Sequence, residues 1–245
     1  MCNLLAEGFR RLFKSKRFYI VLICVVGIPA AITIFASIIK NDAKGVADLM
    51  LFFMTGSMTM FISITSGLFI IHDFKNNTIR NKIIIGHSRT NIYFANLIVS
   101  LFVALVYQVA YWLTLVGFGK LLDEFEFFPC TEIFKNMLLT IFIVFAFTSA
   151  FVFLCTTMRN NGGFAICLML DTIVTTVVSL VLMFLKSETA EDIAVVAIPS
   201  VQRNLFRADP IIVPDDMGLM ILVDIGICVV TTIAGIAVFK KADLK

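Results

Sequence analysis

The chain has 245 residues, 60% of them hydrophobic and only 15% charged, and its mean hydropathy of +0.98 lies outside the range of ordinary soluble domains. A formal charge of +3, with no basic patch interleaved with aromatics, argues against a nucleic-acid partner. Lipid is the solvent this composition implies.

Before the first apolar stretch, residues 3–17 place Leu5, Phe9, Leu12 and Phe13 at helical spacing with Arg10, Arg11, Lys14 and Arg17 around the other face. This pattern predicts an amphipathic helix lying in the membrane interface. The competing reading continues Leu and Phe into the first crossing and leaves the basic residues as a topology signal only.

A helix needs about 20 mainly apolar residues to cross the hydrocarbon core. Six stretches meet that requirement: 18–39, 49–71, 92–118, 133–158, 163–185 and 217–239. The alternation of a membrane barrel is absent, so helices must satisfy the backbone within lipid. The expected fold is an all-α membrane protein, a single bundle of six crossings over residues 1–245 with the interfacial helix in front. The first stretch is read as a retained helix, because it is too long for a secretory signal and lacks a small-residue cleavage site. Pro29 within it is expected to kink the helix.

The charges orient the bundle. One side holds both termini and most of the Lys and Arg, including Arg10, Arg11, Lys14, Lys16, Arg17, Arg80, Lys82, Arg89, Lys240 and Lys241. The other side is net acidic, with Asp123, Glu124, Glu126, Asp215 and Asp216. By the positive-inside rule both termini face the cytoplasm and the protein sits in the plasma membrane.

Between the second and third stretches runs a long inner loop, 73–89. Its centre predicts a short helix with Asn77 as N-cap and Gly86 as C-terminal stop, placing Ile79 and Ile83 at i, i+4 beside Arg80 and Lys82. So short a helix is marginal alone and has to pack on something, either the lipid surface or a cytosolic protein. The outer loop 186–216 is expected to carry two short helices. Thr189 and Asp192 resemble a capping box, Pro199 stops the first helix and Ser200 opens the second, with Val201 and Leu205 on one face and Arg203 and Arg207 on another. These helices either dip into the outer leaflet or pack on the bundle.

The sequence HDFKNNTIRNKIIIGHSRTNIYFANLI resembles the inner loop of type 2 ABC exporter permeases: an acidic residue and a Thr lead into a short basic helix, then Gly-x-Ser-Arg precedes the third crossing. The matching residues are Asp73, Thr78, Arg80, Gly86, Ser88, Arg89 and Tyr93. Asp73 and Asn77-Thr78 stand where family members more often carry Glu and Gly-Thr. The resemblance implies that 73–89 is a coupling loop seated on a separate ABC ATP-binding subunit, with Asp73, Thr78, Ile79, Arg80, Lys82, Ile83, Gly86, Ser88 and Arg89 in that role. It also implies a second permease copy or a paralogue as partner within the lipid bilayer, and outward transport of an amphipathic peptide, drug or lipid-like substrate, with antimicrobial or toxin-like peptides first.

No Gly-x-x-x-x-Gly-Lys-Ser/Thr loop occurs in the sequence, so ATP and Mg are expected on the partner chain and no cofactor on this one. Neither a Gly-x-Ser-Gly nucleophile nor His-Glu-x-x-His is present, and both histidines, His72 and His87, fall in the inner loop; no catalytic residue is assigned. The six cysteines lack paired spacing and are read as small buried side chains, not metal ligands or a disulfide framework.

Asp171 and Asp224 lie inside membrane segments, where a carboxyl costs several kcal/mol unless it faces a cavity or a partner. They are candidates for the transport path or, alternatively, hydrogen-bonded carboxyls that join helices, with Thr175 and Thr231 or Thr232 as expected partners. Gly56, Ser57, Gly67, Gly162 and Gly163 are expected to let helices approach closely. The rival reading of the chain is an ATP-independent channel or a membrane scaffold.

Overall fold

A computed structural model describes residues 1–39, 55–121, 130–202 and 216–241, and among these every regular element is helical. Helix α1 (Cys2–Lys14) is followed by α2 (Lys16–Ile39). The chain then forms α3 (Thr55–Ile62), a π turn (Ser63–Gly67) and α4 (Leu68–Lys75). After these come α5 (Thr78–Ile84), α6 (Arg89–Leu121), α7 (Cys130–Met158) and α8 (Asn161–Leu185). The short α9 (Glu188–Ala197) and α10 (Pro199–Gln202) precede α11 (Met217–Lys241).

Among the described residues five helices are long and apolar enough to cross a membrane: α2, α6, α7, α8 and α11. The second expected crossing, 49–71, lies partly outside the described residues. Its described part is helical through α3, the π turn and α4. The expected positions Arg203, Leu205 and Arg207 also lie outside the described residues.

The burial pattern sorts the helices into two layers. Helices α6 and α7 are central, and α7 shares its most extensive packing with α11. By contrast, α8 and α11 turn large apolar residues outward, among them Met169, Ile173, Val177 and Phe184 on α8 and Leu222, Val230 and Ile233 on α11. A soluble protein does not leave such faces bare, so they are matched to lipid tails.

Helices α1 and α2 are distinct, because the chain breaks at Ser15 in an extended conformation. Gly8 is the contact point between α1 and α6: a Cβ there would come within 2.9 Å of Val99. Phe9 meets Phe102 edge-on at 5.0 Å, and Leu4 and Leu12 are buried. The apolar face of α1 is therefore seated on protein. Within α2 the helix runs on through Pro29, and Thr33 Oγ1 donates to the carbonyls of Pro29 and Ala30, both at 3.0 Å.

The π turn was not visible in the sequence pattern. Its Ser63, Thr65, Ser66 and Gly67 are all buried. Thr65 Oγ1 lies 2.9 Å from the Tyr107 hydroxyl, which donates to Phe18 O at 3.1 Å. One chain of hydroxyls thus joins the π turn to α6 and to the start of α2. Gly67 permits Phe164 of α8 to approach, since a Cβ would lie 3.1 Å from its ring. Gly163 likewise sits tight against Met158, whereas a side chain on Gly162 would meet only its neighbour Asn160.

In the outer segment, α9 starts at Ser187 as N-cap, not at Thr189 as expected. The Ser187 and Thr189 hydroxyls engage each other at 2.9 Å, and no side chain caps the helix. Pro199 ends one helix and opens the next, where its missing N–H costs nothing. Ser200, Val201 and Gln202 are buried against the bundle.

Gly235 of α11 faces Tyr93 of α6, and any Cβ there would collide with the phenol. Gly235→Val is expected to overpack this contact and cost about 1–3 kcal/mol, read as a lower thermal midpoint in detergent. Gly226→Val, at a position with open space around it, is the control expected to leave the midpoint unchanged.

Candidate functional site

Charged and polar side chains from α1, α4, α5, α6 and α11 meet at one end of the bundle. At the centre is Asp73, in the last turn of α4 and without exposed surface. A buried carboxylate needs cations and hydrogen bonds around it. Arg11 of α1 supplies a two-pronged bond: Nη2 donates to Oδ2 at 2.7 Å and Nη1 donates to Oδ1. Lys82 of α5 adds its Nζ at 3.6 Å from Oδ2.

Glu7 completes the network, lying 3.4 Å from Lys82 and 3.6 Å from Arg11. The Arg11 guanidinium also stacks over the Phe69 ring at 4.6 Å. Burial pulls the pKa of Arg11 down, but the bond to Asp73 and the charges of Asp73 and Glu7 outweigh it and hold the pKa above its ordinary value. Its contribution to stability is therefore fully present throughout the neutral range and is lost only on going strongly alkaline. Two acids and two bases thus lock α1, α4 and α5 together.

The loop that follows is shaped residue by residue. Asn77 stands at the N-cap position of α5 but is left-handed, with φ 55, and its side chain does not cap, contrary to expectation. Thr78 begins the helix. Gly86 ends it as expected, at φ 100. The Gly86 N–H donates to Ile83 O at 3.0 Å and the His87 N–H to Lys82 O at 3.1 Å, a Schellman pair that requires a residue tolerant of positive φ.

Ser88 then caps α6, its Oγ accepting from Asn91 N at 3.3 Å. Arg89 reaches across to α11, donating to Phe239 O at 3.2 Å and Lys240 O at 2.9 Å. A cation there answers the unpaired carbonyls and the negative dipole end of the last helix. Each residue of the Gly-x-Ser-Arg stretch therefore has a defined structural task, His87 through its backbone N–H.

The two faces of α5 differ. Ile79 is buried and Ile83 half-buried, so the pair expected to await lipid or a cytosolic protein packs inside this chain instead. The outward face is Arg80, Asn81, Ile84 and Ile85, and the last two are 73% and 76% exposed.

The structure does not bring Asp171 and Asp224 together; Thr175 meets Asp171 through its backbone carbonyl, and Asp224 does not take Thr231. Asp171 of α8 accepts from Thr59 of α3 at 3.2 Å, while Thr175 donates to the backbone carbonyl of Asp171. Asp224 has no exposed surface, and its polar neighbour is Gln202 of α10. Thr231 pairs instead with Ser149 of α7, at 2.8 Å. Cys155 and Cys167 are free buried thiols with their sulfurs 3.6 Å apart.

No protein-family model matches this chain, and no curated protein matches it.

Removing one partner of a buried pair leaves an unanswered charge. Asp73→Leu and Arg11→Met are each expected to destabilise by about 3–5 kcal/mol, and the double variant Arg11→Met/Asp73→Leu by much less than their sum. Thermal or denaturant unfolding of the purified protein measures this cycle. Additive losses would mean that the two side chains are not coupled.

Proposed function

We propose that this chain is the membrane-spanning permease subunit of an ATP-driven ABC exporter, working with a separate ATP-binding subunit and a second permease copy or paralogue. On this reading it moves an amphipathic peptide, drug or lipid-like molecule out of the cell by alternating access. The observation that carries the reading is α5, a short helix that presents Ile84 and Ile85 outward while its other face is fixed into the bundle through Ile79 and Lys82.

A partner that pushes on the Arg80, Asn81, Ile84 and Ile85 face would act on a stiff lever. The Asp73 network would pass the displacement to α1 and α4, and Arg89 would pass it to α11. The resemblance of 73–89 to the coupling loop of type 2 exporter permeases supports the same assignment, as does the basic character of this end, which the positive-inside rule places in the cytoplasm. The chain has no phosphate-binding loop of its own, so ATP and Mg belong to the partner on this reading.

The test is affinity purification of the tagged chain from its native membrane, with ATP hydrolysis of the eluate as readout. Ile84→Asp/Ile85→Asp is expected to lose the ATP-hydrolysing partner and its activity by about tenfold or more while the thermal midpoint stays at the wild-type value. Undiminished activity and transport would refute the coupling role. For the transport path, Asp171→Asn keeps a carbonyl acceptor for Thr59 and replaces the ionisable oxygen by an amide. Export by this variant is expected to fall at unchanged expression, whereas wild-type export would return Asp171 to a purely structural role.

A further inference from the structure

Beside the Asp73 network is a cavity of about 430 Å³, bounded by the end of α1, Ser15, the first turn of α2 and the run from Thr65 to Asp73. Such a volume lies in the ~300–1,000 Å³ range of small-molecule sites. Its rim is cationic, with Lys14, Lys16 and Arg17, and its wall includes Leu12 and Phe69. The one acid at the cavity, Asp73, is already engaged by Arg11 and Lys82. Among the described residues no acidic side chain pairs with Lys14, Lys16 or Arg17. Three uncommitted positive charges therefore surround a cavity with apolar walls.

We propose that this cavity binds the phosphate headgroup of an anionic phospholipid from the leaflet at the basic end of the bundle. Two features favour a lipid over a free anion. The cavity lies at the junction of α1 with α2, where the apolar stretch long enough to cross a membrane begins. Directly along α2 from its rim, Tyr19, Ile20 and Ile23 are 47%, 60% and 70% exposed and give acyl chains an apolar track. The first turn of α2 adds N–H groups without intrahelical acceptors, which suit a phosphate. Lipid held there would brace α1 against α2 from outside, next to the Arg11–Asp73 pair. The inference requires only that the helices cross a membrane, and it stands whether or not α5 meets an ATPase.

The experiment reconstitutes the full chain in nanodiscs of phosphatidylcholine doped with phosphatidylglycerol, then strips bulk lipid stepwise and counts retained lipids by native mass spectrometry. Wild-type protein is expected to retain one phosphatidylglycerol per chain in preference to phosphatidylcholine, and this arm needs no substitution. Lys16→Gln/Arg17→Gln is expected to weaken retention about thirtyfold, at roughly fivefold per basic residue near an anionic surface. Lys240→Gln/Lys241→Gln removes the same charge at the same end, beside another apolar hollow formed by Ile233 and Ile236, and is expected to change nothing. No headgroup preference in the wild type, or equal losses in both variants, would overturn the proposal. So would displacement of the lipid by millimolar inorganic phosphate, which would identify a free-anion site instead.

Discussion

A carboxylate with no exposed surface, placed where helices leave the apolar layer, has to be neutralised from within the protein, and Asp73 sets that requirement for the basic end. Its two oxygens cannot be satisfied by the helix that carries it. They draw Arg11 from α1 and Lys82 from α5, and Glu7 then balances the second cation. Three short elements, each marginal as an isolated helix, are held as one body by this arrangement. The seven-residue α5 in particular, marginal alone, becomes a fixed feature of the surface.

Deeper in the bundle the forces are different. Between lipid-facing helices there is little hydrophobic drive, so close packing and interhelical hydrogen bonds carry the association. Gly67 against Phe164 and Gly235 against Tyr93 supply close approach. Thr59 to Asp171, Thr65 to Tyr107 and Ser149 to Thr231 supply polar links at three places. The intramembrane carboxyl Asp171 is thus part of the packing between α3 and α8, whatever further use it has.

The helices were legible in the sequence because the apolar runs are long, and among the described residues five of them are helices long and apolar enough to cross a membrane. Gly86 was legible because a basic helix ending in Gly is a local signal. What escaped the sequence was long-range. Arg11 and Asp73 are 62 positions apart, and no local pattern pairs them. The facing of α5 was misjudged for a related reason. A short helix with Ile79, Ile83, Ile84 and Ile85 has two apolar sides, and only the tertiary packing decides which is inward. Ser88, expected in the coupling loop, caps α6, and Tyr93 packs against Gly235; neither contact is visible from local sequence pattern.

The π turn between α3 and α4 also governs phase. Each residue advances a helix by about 100°, so the turn fixes the angle between Thr59, which faces Asp171 on α8, and Asp73, which faces Arg11 on α1. Both partnerships hold because the widened turn sets that angle. Deleting a single residue from Ser63–Gly67 would rotate one of these side chains about a quarter-turn away from its partner. The segment therefore acts as an angular key, matching the polar contact inside the bundle to the ion network at its end.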